Sequence, residues 1–124
     1  MRLRPTDAEL AILRVLWKRG PSTVGQVQEA LKEVRHTGYT TALKLLQIMA
    51  EKGLVERDES GWRHVYRARQ GQKSTQRQLV RDLLERAFEG SAHQLVVQAL
   101  SAKKASPEEL ADIRRLLDDL ERSK

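Results

Sequence analysis

The sequence predicts a mainly α chain in which three helices precede a β-hairpin and further helices follow it. Three observations carry this. Apolar residues recur at steps of three and four before residue 53 and again after residue 78. Between them, Leu54–Arg57 and Arg63–Arg67 read as two short strands joined by the polar turn Asp58-Glu59-Ser60-Gly61. Gln70-Gly71-Gln72-Lys73-Ser74 then reads as a junction, dividing residues 1–70 from residues 71–124.

Each element has a local reason. Thr6-Asp7-Ala8-Glu9 has the form of a capping box, in which a hydroxyl and a carboxylate satisfy reciprocal backbone donors. Leu10, Leu13 and Trp17 follow on one face with Ile12 and Leu16 beside it, and Gly20-Pro21 stops the helix. Ser22 or Thr23 caps the second helix, whose stripe is Val24, Val27, Leu31 and Val34. The third helix runs from about Gly38 to Lys52. Ala42, Leu45, Leu46 and Met49 form its apolar side, with Thr40, Lys44, Gln47 and Glu51 opposite. In the tail, Leu79, Val80, Leu83, Leu84, Ala87 and Phe88 make one apolar face, Gly90 ends that helix and Ser91 begins a short one. Ser106-Pro107-Glu108-Glu109 combines a cap hydroxyl, a first-turn proline and carboxylates at the positive dipole end. Leu110, Ile113, Leu117 and Leu120 then repeat at steps of three, four and three.

Composition narrows the function classes. The 124 residues are 40% hydrophobic, enough for a folded core. Cysteine is absent, which removes disulfide and thiol chemistry and agrees with a cytoplasmic location. No apolar run has the length of a membrane span, and the basic stretch Met1–Pro5 lacks the apolar core of a signal peptide, so no membrane insertion is expected. The net charge is +6, and its surplus lies in residues 1–70, with 13 Lys/Arg against 8 Asp/Glu. Such a balance favours contact with phosphates. His36, His64 and His93 share no ligand-like spacing with carboxylates, so neither a metal nor another cofactor is expected. Asp118-Asp119 sits in an Arg-rich helix and reads as surface. With no nucleophile elbow and no Gly-rich phosphate loop, nothing points to catalytic residues or to an enzyme.

Three helices followed by a hairpin form the layout of a winged helix-turn-helix, in which the third helix enters the DNA major groove and the hairpin wing rides on the backbone. Thr40, Lys44 and Gln47 would form an ordinary solvated face on an isolated helix. Ahead of a basic hairpin they read as a DNA-contact face, with Thr41 alongside and Leu43 at the margin, in reach of a thymine methyl. Tyr39 either packs in the core or bonds a phosphate at the helix N-terminus, and the anion preference of that terminus favours the phosphate. Trp62 at the hairpin tip either folds back on the core or serves the wing with Arg63. Arg63, Arg67 and Arg69 would line one strand side as a phosphate clamp. The tail, about 50 residues, is too small to bury its faces alone, so Leu79, Leu83, Phe88, Leu110, Ile113, Leu117 and Leu120 are expected to pair two chains into a homodimer. The alternative reading is a protein-interaction module that uses a winged helix as a scaffold. It would show an exposed apolar patch where the DNA reading needs a polar face.

Several strings carry a family resemblance: Thr6-x-x-Glu9-x-x-Ile12-x-x-x-Leu16-Trp17, Pro21-Ser22-Thr23-Val24, Tyr39-Thr40-Thr41 and Glu51-Lys52-Gly53-Leu54-Val55. In the tail they are Phe88-Glu89-Gly90-Ser91 and Ser106-Pro107-Glu108-Glu109-Leu110. Together they resemble the penicillinase-repressor family (BlaI/MecI type, with copper-responsive relatives) over nearly the whole chain. The resemblance implies a homodimeric transcriptional repressor of promoters carrying palindromic operators, in some members those of β-lactam-resistance or stress genes. It also implies, in the best-known members, a membrane-bound sensor protease as partner. Two departures stand out. Ile48 occupies a position where many members carry arginine, and Gln98-Ala99 stands at the family's scissile Asn-Phe. The chain also lacks the cysteines of a copper sensor.

Overall fold

A computed structural model of the chain describes residues 4–123. Met1, Arg2 and Leu3, part of the basic N-terminus, lie outside the described residues, as does Lys124. The order is α1 (Asp7–Arg19), α2 (Val24–Leu31), α3 (Tyr39–Lys52), β1 (Val55–Asp58), β2 (Val65–Ala68), α4 (Gln72–Ala87), α5 (Ala92–Ala102) and α6 (Pro107–Arg122). The chain divides into two compact units, Met1–Leu79 and Val80–Lys124, with the boundary falling within the sequence of α4.

In the first unit, local capping starts the helices. Thr6 Oγ1 accepts from the Glu9 amide at 3.2 Å, and Glu9 Oε1 accepts from the Thr6 amide at 2.9 Å. Thr23 and Gln26 repeat this exchange at α2. Ser22 is therefore not the cap. It is fully buried and bridges Tyr66, donating its amide to the Tyr66 carbonyl at 2.9 Å and accepting the Tyr66 amide at 2.8 Å. That short pairing fastens the α1–α2 turn to the hairpin.

Ile12, Leu13 and Leu16 of α1, Val24, Val27 and Leu31 of α2, and Ala42, Leu46 and Met49 of α3 fill the core with Val55 and Tyr66. Val34 departs from the expected stripe. α2 ends at Leu31, the chain turns through Lys32–Arg35, and Val34 is 71% exposed. α3 ends on Gly53, whose φ of 81° is the left-handed conformation open to glycine at little cost.

The hairpin is antiparallel, with Val55 opposite Ala68, Arg57 opposite Tyr66 and Asp58 opposite Val65. The strands differ from the expected Leu54–Arg57 and Arg63–Arg67. The first is displaced by one residue, and the second begins two residues later. Asp58 Oδ1 accepts from the Ser60 amide at 2.9 Å, bending the chain away from the ladder, and Glu59–His64 form the connecting loop. Hydrogen bonds from Ser60 hold the Asp58 carboxyl below its usual range. Arg63 thus belongs to the wing tip and not to a strand.

One buried ion pair ties the ends of α1 and α3. Lys52 Nζ lies 2.9 Å from both oxygens of Glu9, whose side chain is almost wholly buried. Trp17 Nε1 donates to the Gln70 carbonyl at 2.9 Å and anchors the segment leaving the hairpin.

Within the second unit, Ser91 caps α5 and Ser106 caps α6 through the Gln94 and Glu109 amides. Arg115 pairs with Asp112 and Arg122 with Asp119 along the exposed face of α6. Neither α5 nor α6 buries a residue, and neither does α4.

Candidate nucleic-acid interface

Burial of Ala42, Leu46 and Met49 fixes the rotation of α3 about its axis. Thr40, Lys44 and Gln47 then point away from the core and are exposed, with Thr41 exposed on the flank. Tyr39 is half exposed at the start of α3, so it does not pack in the core. Leu43 is partly buried at the edge of the same surface. The outward positions Thr40, Thr41, Lys44 and Gln47 are polar, and the apolar area of this surface is confined to Tyr39 at the helix start and Leu43 at its edge.

The wing closes one side of the surface. Trp62 is 88% exposed, which decides against its folding back onto the core. The Arg63 guanidinium stacks over its ring at 4.6 Å from the centroid. An open groove of about 660 Å³ lies between this tip and α3. Tyr39, Leu43 and Gln47 line it from α3, Trp62 and Arg63 from the wing, and Thr23 and Gly25 from the start of α2. The expected contact residues therefore divide in two. Five of them frame the groove, while Thr40, Thr41 and Lys44 are exposed on α3 outside its lining.

Sequence reading missed Arg57, His64 and the α2 start as parts of this groove. The adjacency of Arg57 and His64 follows from hairpin register, and Thr23 and Gly25 signal only a helix start when read locally. The expected clamp along one strand side does not form either. Arg67 pairs with Glu56 at 3.5 Å across the ladder. Arg69 is drawn towards the end of α3, where a Cβ on Gly53 would stand 3.3 Å from its Nη1. Arg57 is held by Glu59 at 2.7 Å, and His64 Nε2 lies 3.7 Å from the same carboxylate. Lys44 and Arg63 enter no ion pair among the described residues, which leaves their charges available to an external anion. No cluster of His, Asp or Glu among the described residues has the geometry of a metal site, and no helix of the structure is long and apolar enough to cross a membrane.

Comparisons with known proteins agree with this architecture. The family model described as penicillinase repressor matches residues 5–119. The transcriptional regulator BlaI of Mycobacterium tuberculosis, in strains CDC 1551 and H37Rv, is 33% identical over 116 residues, covering 93% of this chain and 83% of the relative. Among solved structures, the solution structure of monomeric Bacillus licheniformis BlaI with the blaP half-operator superposes with a TM-score of 0.51. At 22% identity it covers 59% of this chain and 89% of that one, and it shares the winged-helix fold. The chain belongs to the penicillinase repressor family of transcriptional regulators.

Proposed function

We propose that this chain represses transcription as a homodimer in the cytoplasm, each winged helix reading one half of an inverted-repeat operator. The observation that carries the reading is the outward face of α3, polar and cationic, set beside an exposed Trp62–Arg63 wing. Thr40, Lys44 and Gln47 read base edges, with Thr41 and Leu43 at the margins of that contact. Tyr39 and Arg63 hold phosphates, and Trp62 packs on the sugar-phosphate backbone. The BlaI structure bound to a half-operator supports DNA as the partner of this fold.

Homodimerisation rests on the tail. Leu83, Leu117 and Leu120 are about half exposed in the single chain, and Leu79, Phe88, Leu110 and Ile113 are only partly covered. A second copy supplies the missing cover. A membrane-bound sensor protease would be the upstream partner. Gln98 and Ala99 are exposed but lie inside α5, so cleavage there requires local unwinding of that helix.

The test is binding to the promoter duplex upstream of the chain's own gene. Log affinity should fall linearly with log salt, by about −0.9 for each phosphate neutralised. Affinity that is flat with salt contradicts the reading. Lys44→Ala and Gln47→Ala should each narrow the gap between operator and random duplex by roughly 1–3 kcal/mol where a base contact is lost. Arg63→Ala should weaken both duplexes alike, because a phosphate contact carries no base information. An Arg63 variant that alone alters sequence preference would refute this division.

A further inference from the structure

A second surface of the first unit is unrelated to the DNA groove. Two adjoining hollows of about 480 and 460 Å³ run along α1 and share Ala11, Arg14 and Val34. Their floor is apolar, formed by Ala11, Val15, Ala30 and the exposed Val34. Their rim is basic, with Arg14, Lys18 and Arg19 along α1 and Arg35 after α2. Glu33 and Asp7 are the acidic residues in the lining. None of the four cations enters an ion pair among the described residues. No residue lining these hollows also lines the α3–wing groove.

We infer that this groove docks an acidic amphipathic helix of a partner protein. The charge surplus selects an acidic occupant. The apolar floor selects a peptide over nucleic acid, because a phosphodiester backbone has no aliphatic stripe to bury. Lining positions extend from Asp7 to Arg19, the whole of α1, so the groove spans roughly 18 Å at 1.5 Å per residue. That length accepts about three turns of a helix, with leucines on the floor and carboxylates against the rim. Val34 is explained by the same contact. It is an exposed valine where α2 has already ended, placed at the overlap of the two hollows. A DNA-bound regulator with such a groove could hold a second protein at the promoter without releasing its operator.

The experiment uses the full chain and a fluorescein-labelled synthetic helix with leucines at i, i+3 and i+7 flanked by glutamates. A second peptide carries lysine at every glutamate position. Fluorescence anisotropy should show saturable binding of the glutamate peptide and none of the lysine peptide. Val34→Glu should weaken it roughly tenfold or more by setting a charge against the leucines on the floor, and the double variant Arg14→Glu/Lys18→Glu should do so by placing like charges opposite one another. All three sites are exposed, so these variants should fold, and operator affinity measured in parallel should fall no further than in a control of equal charge change outside the groove, Lys103→Glu/Lys104→Glu. Equal binding of both peptides, no saturable binding, or indifference to the substitutions would overturn the proposal. Loss of operator affinity beyond that control in the same variants would make the groove a nucleic-acid contact instead. A change in the sedimentation of the peptide-free chain would assign it to a second copy.

Discussion

Leu117→Asp should convert the protein to a monomer and weaken its binding to a palindromic operator by roughly 100-fold or more. Leu117 lies on α6, on the stripe with Leu110, Ile113 and Leu120, and is 54% exposed in the single chain. An aspartate there costs the isolated chain little. In a dimer interface it becomes a buried unpaired charge, with a penalty of several kcal/mol. Separation of the two winged helices then removes the high effective concentration that makes the second half-site contact intramolecular. Light scattering and a gel shift on one palindromic site read both effects together. Far-ultraviolet dichroism should stay close to wild type, because no α6 residue is buried within the chain. A variant that remains dimeric, or a monomer that retains full operator affinity, would contradict the assignment.

Lys52→Met should destabilise the first unit by about 3 kcal/mol, since it strands the Glu9 carboxylate in a buried site. For a domain of this size that corresponds to a fall in melting temperature of roughly 10–20 °C. The effect should depend on pH in a defined direction. Burial raises the Glu9 pKa, but hydrogen bonds from the Lys52 ammonium and from Thr6 outweigh it and leave the value below normal. A depressed folded value means that the stabilisation is fully present above the ordinary glutamate range. It is lost as pH falls through the folded value. The gap between wild type and Lys52→Met should therefore be widest near neutral pH and close in acid. A gap that widens in acid would show that Glu9 is not the group responsible. Glu9→Gln should cost less than Lys52→Met, because Lys52 keeps partial access to water.

How far the sequence speaks depends on how local each feature is. The capping box at Thr6 and the Gly53 stop rest on contacts within a few residues and are legible directly, while at α2 the sequence leaves Ser22 and Thr23 as alternatives until the Tyr66 bridge takes Ser22. The orientation of α3 is legible too, because Ala42, Leu46 and Met49 recur at helical spacing. The Glu9–Lys52 pair spans 43 positions and leaves no periodic trace. Tyr66 is the largest fully buried side chain, yet it lies in a short basic strand that reads as a surface wing. Its role depends on the bridge to Ser22, a tertiary pairing. Val34 fits the α2 stripe by spacing and leaves it only because the helix stops at Leu31. In the wing, the Asx turn at Asp58 outweighed strand propensity and moved Arg63 into the loop, so the expected row of arginines never forms. The exposed polar side of α3 was therefore readable in the sequence, and the arrangement of the hairpin only partly.

Selection from a randomised duplex library with the full chain tests the central claim most directly. Repeated binding and recovery at physiological salt should enrich an inverted repeat, its half-sites about one helical turn or a multiple apart. The same selection with Lys44→Ala/Gln47→Ala should lose information within the half-sites while keeping their spacing. A recovered pool with no enriched sequence, or a single unrepeated site bound as tightly as any palindrome, would contradict the account.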